Sequence, residues 1–193
     1  AVEILREPSF PEADFESIRG QQIAQIERGR TDPGRLVQVE LQRLLSNYPR
    51  SDVRHVRTID EEIEDLKAVT LADVRRSHDR FYGASHGEFI VVGAFDPSAL
   101  TTAANESLAS WTRAVPFARI VNTYQEVAPA NQKIETPDKE NAQFSAGIRL
   151  RLRDADPDYA ALVMANYMLG GGGLSARIPD RIRNREGLSY GVN

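Results

Sequence analysis

The 193-residue sequence contains no cysteine. This excludes disulfides, thiolate metal sites and a cysteine nucleophile, and it leaves the redox compartment open, because cysteine-free proteins occur in reducing and oxidising settings alike. Histidine is scarce too, with only His55, His78 and His86. None stands four residues from another, so the histidine pair that H-x-x-E-H places on one face of a zinc helix cannot form. His78 and His86 have no Glu between them and read as ordinary surface or helix-end residues. No apolar run approaches the roughly 20 residues that a membrane-spanning helix needs. Lys and Arg total 24 against 28 Asp and Glu, a net charge of −4, and the basic residues form no long block. That balance gives no support for nucleic-acid binding.

With 41% hydrophobic residues the chain can bury a sizeable core, as one large domain or two small ones. No signal-peptide pattern is visible. The sequence opens at Ala1-Val-Glu without an initiator Met and stops at Gly191-Val-Asn193, just past an expected strand start. Both ends read as cuts inside a longer protein.

Local signals predict a series of helices. Phe15 to Arg28 carries Phe15, Ile18, Ile23 and Ile26 near helical spacing, with Pro11 in its first turn. Asp32-Pro33 is an N-cap followed by a first-position proline, and it opens a helix that ends before Asn47-Tyr-Pro49. Thr58 with Glu61 and Thr70 with Asp73 have capping-box spacing and open two more. Asp96-Pro97 caps a helix to about Trp111, Asp156-Pro157 one to Leu169, and Ser175 is a plausible cap for a last helix ending at Gly187. Two segments read as strands: the apolar 88–95 and the alternating 142–152. Residues 115–137 hold Pro116, Pro129 and Pro137 without periodicity, and read as a linker.

Three segments of the last third carry most chemical information: Asp156-Pro-Asp-Tyr-Ala-Ala-Leu, Leu169-Gly-Gly-Gly-Gly, and Arg183-Asn-Arg-Glu-Gly-Leu-Ser-Tyr-Gly-Val. The glycines Gly170, Gly171, Gly172 and Gly173 lack the Lys-Ser/Thr ending of a phosphate loop. They permit turns closed to other residues and close approach of another chain; a purely structural turn and a contact loop both fit them. Arg183 and Tyr190 each offer donors that could hold a peptide carbonyl or the oxyanion of a tetrahedral intermediate. By spacing alone a solvated helix arginine and a half-buried strand tyrosine is the favoured reading, with Arg181 and Arg185 the neighbouring choices if the register slips.

Together these segments resemble the pitrilysin/insulinase family of zinc metallopeptidases, which includes the mitochondrial processing peptidases. The resemblance covers roughly Phe10 to Trp111 and Lys133 to Val192. It departs after the glycines, where Ser175-Ala-Arg177-Ile178 stands for the family's Ser-Arg-Leu. It implies an α+β fold of two α/β-sandwich-like units of the processing-peptidase (LuxS/metallohydrolase-like) type. Residues 1–114 would end a first domain, 115–137 would link, and 138–193 would begin a second. Aligned on Pro11, Phe15 and Asp32-Pro33, the family's later zinc-ligating Glu falls at or near Gln25, with Glu27 two positions on and on a different helix face. A neutral amide is a poor zinc ligand. The resemblance therefore implies the zinc-free half of a metalloendopeptidase. Such a half holds no catalytic residue or metal and is inactive alone. It meets a peptide or protein substrate through Arg183, Tyr190 and Gly170 to Gly173, and pairs with a zinc-bearing half in the same chain or a partner subunit. The long bacterial single-chain form is most similar, which implies a periplasmic setting. A catalytically silent subunit of a two-chain peptidase and a structural core subunit of a respiratory complex are the alternatives of the same fold.

Overall fold

The computed structural model describes residues 2–192. They divide into two compact units between Ile148 and Arg149.

In the first unit the helices that begin at Asp32, Thr58, Thr70 and Asp96 start where their caps predict, while Val2–Arg6 is a helix the sequence did not announce and the next begins three residues before Phe15. α1 is Val2–Arg6 and α2 is Glu12–Arg28, entered from an extended Pro11. A 3-10 turn, Gly29–Thr31, leads to α3, Pro33–Leu44, whose Asp32 carboxylate accepts the Arg35 N–H at 2.6 Å. α4, Ile59–Ala68, has a complete capping box: Thr58 Oγ1 accepts from the Glu61 N–H at 3.1 Å, and Glu61 Oε2 accepts from the Thr58 N–H at 2.9 Å. α5, Leu71–Phe81, repeats the device with Thr70 and Asp73. α6, Pro97–Leu108, begins at Asp96, whose Oδ1 takes the Ser98 and Ala99 N–H groups. Each box satisfies amides that the first helical turn would otherwise leave unpaired.

α4 packs against α2, and its Ile59 and Ile63, one turn apart, are the buried large apolar side chains of this unit. Arg19 reaches from α2 to the Val69 carbonyl beyond α4 at 3.2 Å, and Arg6 joins α1 to the Ser107 carbonyl of α6 at 2.7 Å.

The two expected strands are not strands. Among the described residues there is no β-ladder, so the chain is helical and the α+β layers inferred from the sequence are corrected in that respect. Segment 88–95 has no ladder partner, bends at Gly93 with φ of 151°, and leaves Val92 94% exposed. Segment 142–152 likewise joins no β-ladder among the described residues, and Phe144 is 89% exposed. Alternating or apolar patterning marks a chain fit for a ladder, but the ladder itself requires a partner strand. Residues 115–137 carry no helix or strand and belong with the first unit.

The second unit is built of short turns. α7, Tyr159–Asn166, continues as a π-helical turn over Tyr167–Gly171. A 3-10 turn, Gly173–Ser175, precedes α8, Arg177–Pro179, which passes into a second π-helical turn over Asp180–Arg185. Gly170, Ala176 and Pro179 are buried. Ser175 does not cap: Ala176 holds that position and makes no side-chain bond. Asp156 closes the turn before α7, its carboxylate accepting the Arg153 N–H and its carbonyl the Tyr159 N–H.

The α4 cap is local chemistry and can be tested alone. Thr58→Ala removes the acceptor of the Glu61 N–H and should cost about 1 kcal/mol in denaturant unfolding, whereas Thr58→Ser, which keeps the hydroxyl, should cost little.

Candidate functional site

The candidate residues all fall in the second unit. The π turn over Asp180–Arg185 carries three arginines with different fates. Arg181 pairs with Glu186 at 2.7 Å and Arg185 with Asp180 at 2.7 Å. Arg183 makes no ion pair among the described residues; its guanidinium lies over the Tyr190 ring, 4.2 Å from the centroid. The path between them explains the meeting. The Leu188 N–H closes on the Ile182 carbonyl at 3.0 Å, and Gly187 adopts φ of 64°, a left-handed position that folds the chain back past the helical end. Tyr190 therefore returns to Arg183 instead of leading away.

A guanidinium over an aromatic face is attracted by the ring quadrupole, worth about 0.5–1 kcal/mol at exposed sites. Tyr190 is 84% exposed, and its hydroxyl makes no hydrogen bond among the described residues. The pair thus brings a guanidinium and a phenol, each with hydrogen-bond donors, into contact. The spacing predicted the pair; which of the three arginines is free is visible only from the ion pairs. Tyr190 is not a strand residue.

The four glycines do different things. Gly170 is buried, and Gly173 has φ of 77°, which strains any side chain. Gly172 donates its N–H to the Tyr167 carbonyl at 2.7 Å, and a Cβ there would stand 2.7 Å from that oxygen and 3.0 Å from the Tyr167 ring. Gly171 would meet only Asn166, at 3.6 Å. The loop that these residues shape is a single turn of π-helix and its exit, an arrangement frequent at functional positions.

Zinc does not fit the residues present. Gln25 is exposed on α2 and lines a groove of about 530 Å³ with Gln22, Ile26, Arg28, Arg35 and Glu62. No His lines that groove. Its Glu62 is held by Arg35 Nη2, at 2.6 and 2.8 Å to the two carboxylate oxygens. Glu27 is bound by Arg30, and that contact holds its carboxyl below the ordinary range. The histidines stand apart in their surroundings. His78 lies between the rings of Phe10 and Tyr82, with Nε2 2.8 Å from the Leu5 carbonyl. His86 is beside Phe117, and His55 contacts Glu61. Among the described residues no group of three or more His, Cys, Asp or Glu could hold a metal ion. No described helix is long and apolar enough to cross a membrane.

The chain belongs to the family described as the peptidase M16 inactive domain, whose model matches residues 68–193; this is the zinc-free half of the family that the sequence resembles. It is 24% identical over 196 residues to "Non-peptidase homolog YmxG" of Helicobacter pylori (strain ATCC 700392 / 26695), covering 98% of this chain and 42% of that protein. It is similar, with a TM-score of 0.65 and 24% identity, to the crystal structure of a peptidase M16 inactive domain from Pseudomonas fluorescens, over 98% of this chain and 44% of that one. The structural likeness shows the fold. The chain spans under half the length of both.

Two measurements follow from this geometry. Gly172→Ala must displace a backbone oxygen and should destabilise the chain by roughly 1–3 kcal/mol, while Gly171→Ala should stay within about 0.5 kcal/mol, as read by denaturant unfolding. Metal analysis of the purified chain after dialysis should find far less than one zinc per chain, and the chain alone should hydrolyse no peptide; a tightly held equivalent of zinc would contradict the ligand assignment.

Proposed function

We propose that this chain is the non-catalytic half of a zinc-dependent metalloendopeptidase, and that it contributes substrate binding and transition-state stabilisation to peptide-bond hydrolysis. The observation that carries the reading is Arg183: among the described residues it alone of the arginines in its turn has no carboxylate partner, and it stands against the exposed Tyr190 ring. A purely structural arginine gains from a counter-ion, and two are within the same turn. Leaving one unpaired beside Tyr190 suits a ligand that brings its own oxygen. A peptide carbonyl would accept from both donors, and the charge that develops on it during attack would strengthen both bonds. The zinc and its general base would belong to the other half, in the same polypeptide or a partner subunit. Gly170 to Gly173 would give the substrate backbone close access. The same reading takes residues 1–114 as the end of one domain, 115–137 as a linker and 138–193 as the start of the next, in a periplasmic enzyme.

A second reading has its own support. The curated relative is named a non-peptidase homolog, which favours a silent subunit of a two-chain peptidase, or a structural subunit such as the core of a respiratory complex. Neither structural role requires an unpaired Arg183.

The test is kinetic, on the assembly of this chain with its zinc-bearing half. Removing one oxyanion donor typically costs on the order of 100- to 1,000-fold in kcat. Two donors that share the task with a metal each cost less, so Arg183→Ala and Tyr190→Phe should each lower kcat/KM by roughly 10-fold or more. Arg183→Lys should not rescue fully, since an ammonium lacks the planar fork. Zinc content and Tm should stay near those of the unaltered protein. Near-normal turnover in both variants would assign the pair a structural role.

A further inference from the structure

His55 is held between two acceptors. Its Nδ1 lies 2.9 Å from the Tyr48 carbonyl oxygen and its Nε2 3.1 Å from Oε2 of Glu61. A carbonyl cannot donate, and Glu61 Oε2 already accepts the Thr58 N–H at 2.9 Å. A neutral imidazole has a single N–H and can satisfy one of these partners; only the imidazolium satisfies both.

The charges around the ring favour that form. Glu61 is kept ionised, its carboxyl lowered to about 2 by the Thr58 backbone N–H first and by His55 second. Arg50 lies 3.2 Å from its other oxygen. Arg57 opposes a second positive charge, but it is bound to Asp65. Arg54, the remaining cation of the loop, is paired with Asp52 and stacked on the Tyr48 ring at 3.9 Å. The ring itself is only 15% exposed.

We propose that His55 is a protonation-gated latch, its imidazolium bridging the Tyr48 carbonyl to the capping carboxylate of Glu61 and so pinning loop 46–57 to the start of α4. Loss of the proton leaves one of two acceptors without a donor and releases one end of the bridge. The loop is connected onward: Arg54 Nη1 donates to the Val121 carbonyl at 2.8 Å, and the Asn47 N–H to Gln125 Oε1 at 3.2 Å. Opening the latch therefore loosens the hold on segment 121–125 as well.

The sign is fixed by the direction of the titration. The Tyr48 carbonyl first and Glu61 second raise the folded-state pKa of His55 above its ordinary 6.5. The latch then contributes fully below that ordinary value and is lost as pH rises through the raised one. On the acid side Glu61, lowered from 4.5 to about 2, gives up its contribution as pH falls through that interval.

The experiment is a pH titration of the complete chain by ring-nitrogen NMR, with His55→Gln to assign the signal. The His55 midpoint should lie above that of a free histidine, and both ring nitrogens should carry protons below that midpoint. The Glu61 amide should exchange roughly tenfold faster or more, after correction for intrinsic rate, once His55 is neutral. Glu61→Gln keeps an acceptor for the Thr58 N–H but removes the charge, so it should bring the His55 midpoint down. A His55 midpoint at or below that of a free histidine, or Glu61 exchange that ignores the His55 titration, would overturn the latch.

Discussion

The first unit depends on one ten-residue helix, α4. It packs against α2 and supplies the two large apolar side chains that are buried there, Ile59 and Ile63. Full burial of an Ile is worth about 1.5–3 kcal/mol, so this contact alone cannot fix the helix. The polar faces of α4 do the rest. Asp60 meets Arg30 at 2.7 Å, Glu62 meets Arg35, and Arg50 spans Glu61, Glu64 and Asp65 at 2.8–3.2 Å. These arginines come from the 3-10 turn, α3 and the loop before α4, so each ties a different stretch of chain to the same helix. Individually such exposed pairs contribute little, and their worth lies in acting as a network around one element. Glu61 is the node where three functions meet: it closes the cap, faces Arg50 and holds His55.

The second unit solves a different problem. It is short of α-helix and rich in turns whose hydrogen bonds reach past the α register, from Gly172 to Tyr167 and from Leu188 to Ile182. A wider turn changes which side chains share a face. In the turn over Asp180–Arg185 it places Arg181 near Glu186 and Arg185 near Asp180, and Arg183 is left for Tyr190. Gly187 then supplies the one backbone conformation that returns the chain to the arginine. The reactive-looking pair is thus a product of turn geometry, not of a rigid sheet.

What the sequence revealed divides along the range of the forces involved. The starts at Asp32, Thr58, Thr70 and Asp96 were legible because a cap acts over three residues. The expected strands 88–95 and 142–152 were not, because a ladder is a contact between distant segments that propensity does not supply. At the site, the seven-residue spacing made Arg183 and Tyr190 candidates, but the pairing of their neighbours depends on the π register, which no spacing announces. His55 reads in the sequence as one of three scattered histidines. The only hint is its place three residues before a Thr-x-x-Glu cap, and its meaning requires the fold to bring the Tyr48 carbonyl to its other nitrogen.

The family match begins at residue 68, at the end of α4, while the relatives align over 98% of the chain. The helix that organises the first unit and the loop latched to it therefore lie outside the matched region, and the turn that carries Arg183 lies within it. A shared family pattern weighs on both halves of the functional question differently. Absence of zinc ligands is common to a silent subunit, a structural subunit and the passive half of an enzyme, so it separates none of them. Among the described residues Arg183 has no carboxylate partner and is met by the Tyr190 ring, whereas its neighbours Arg181 and Arg185 are paired. The proposal of substrate binding rests on that contrast, because a carbonyl oxygen reaching both side chains would find a donor on each.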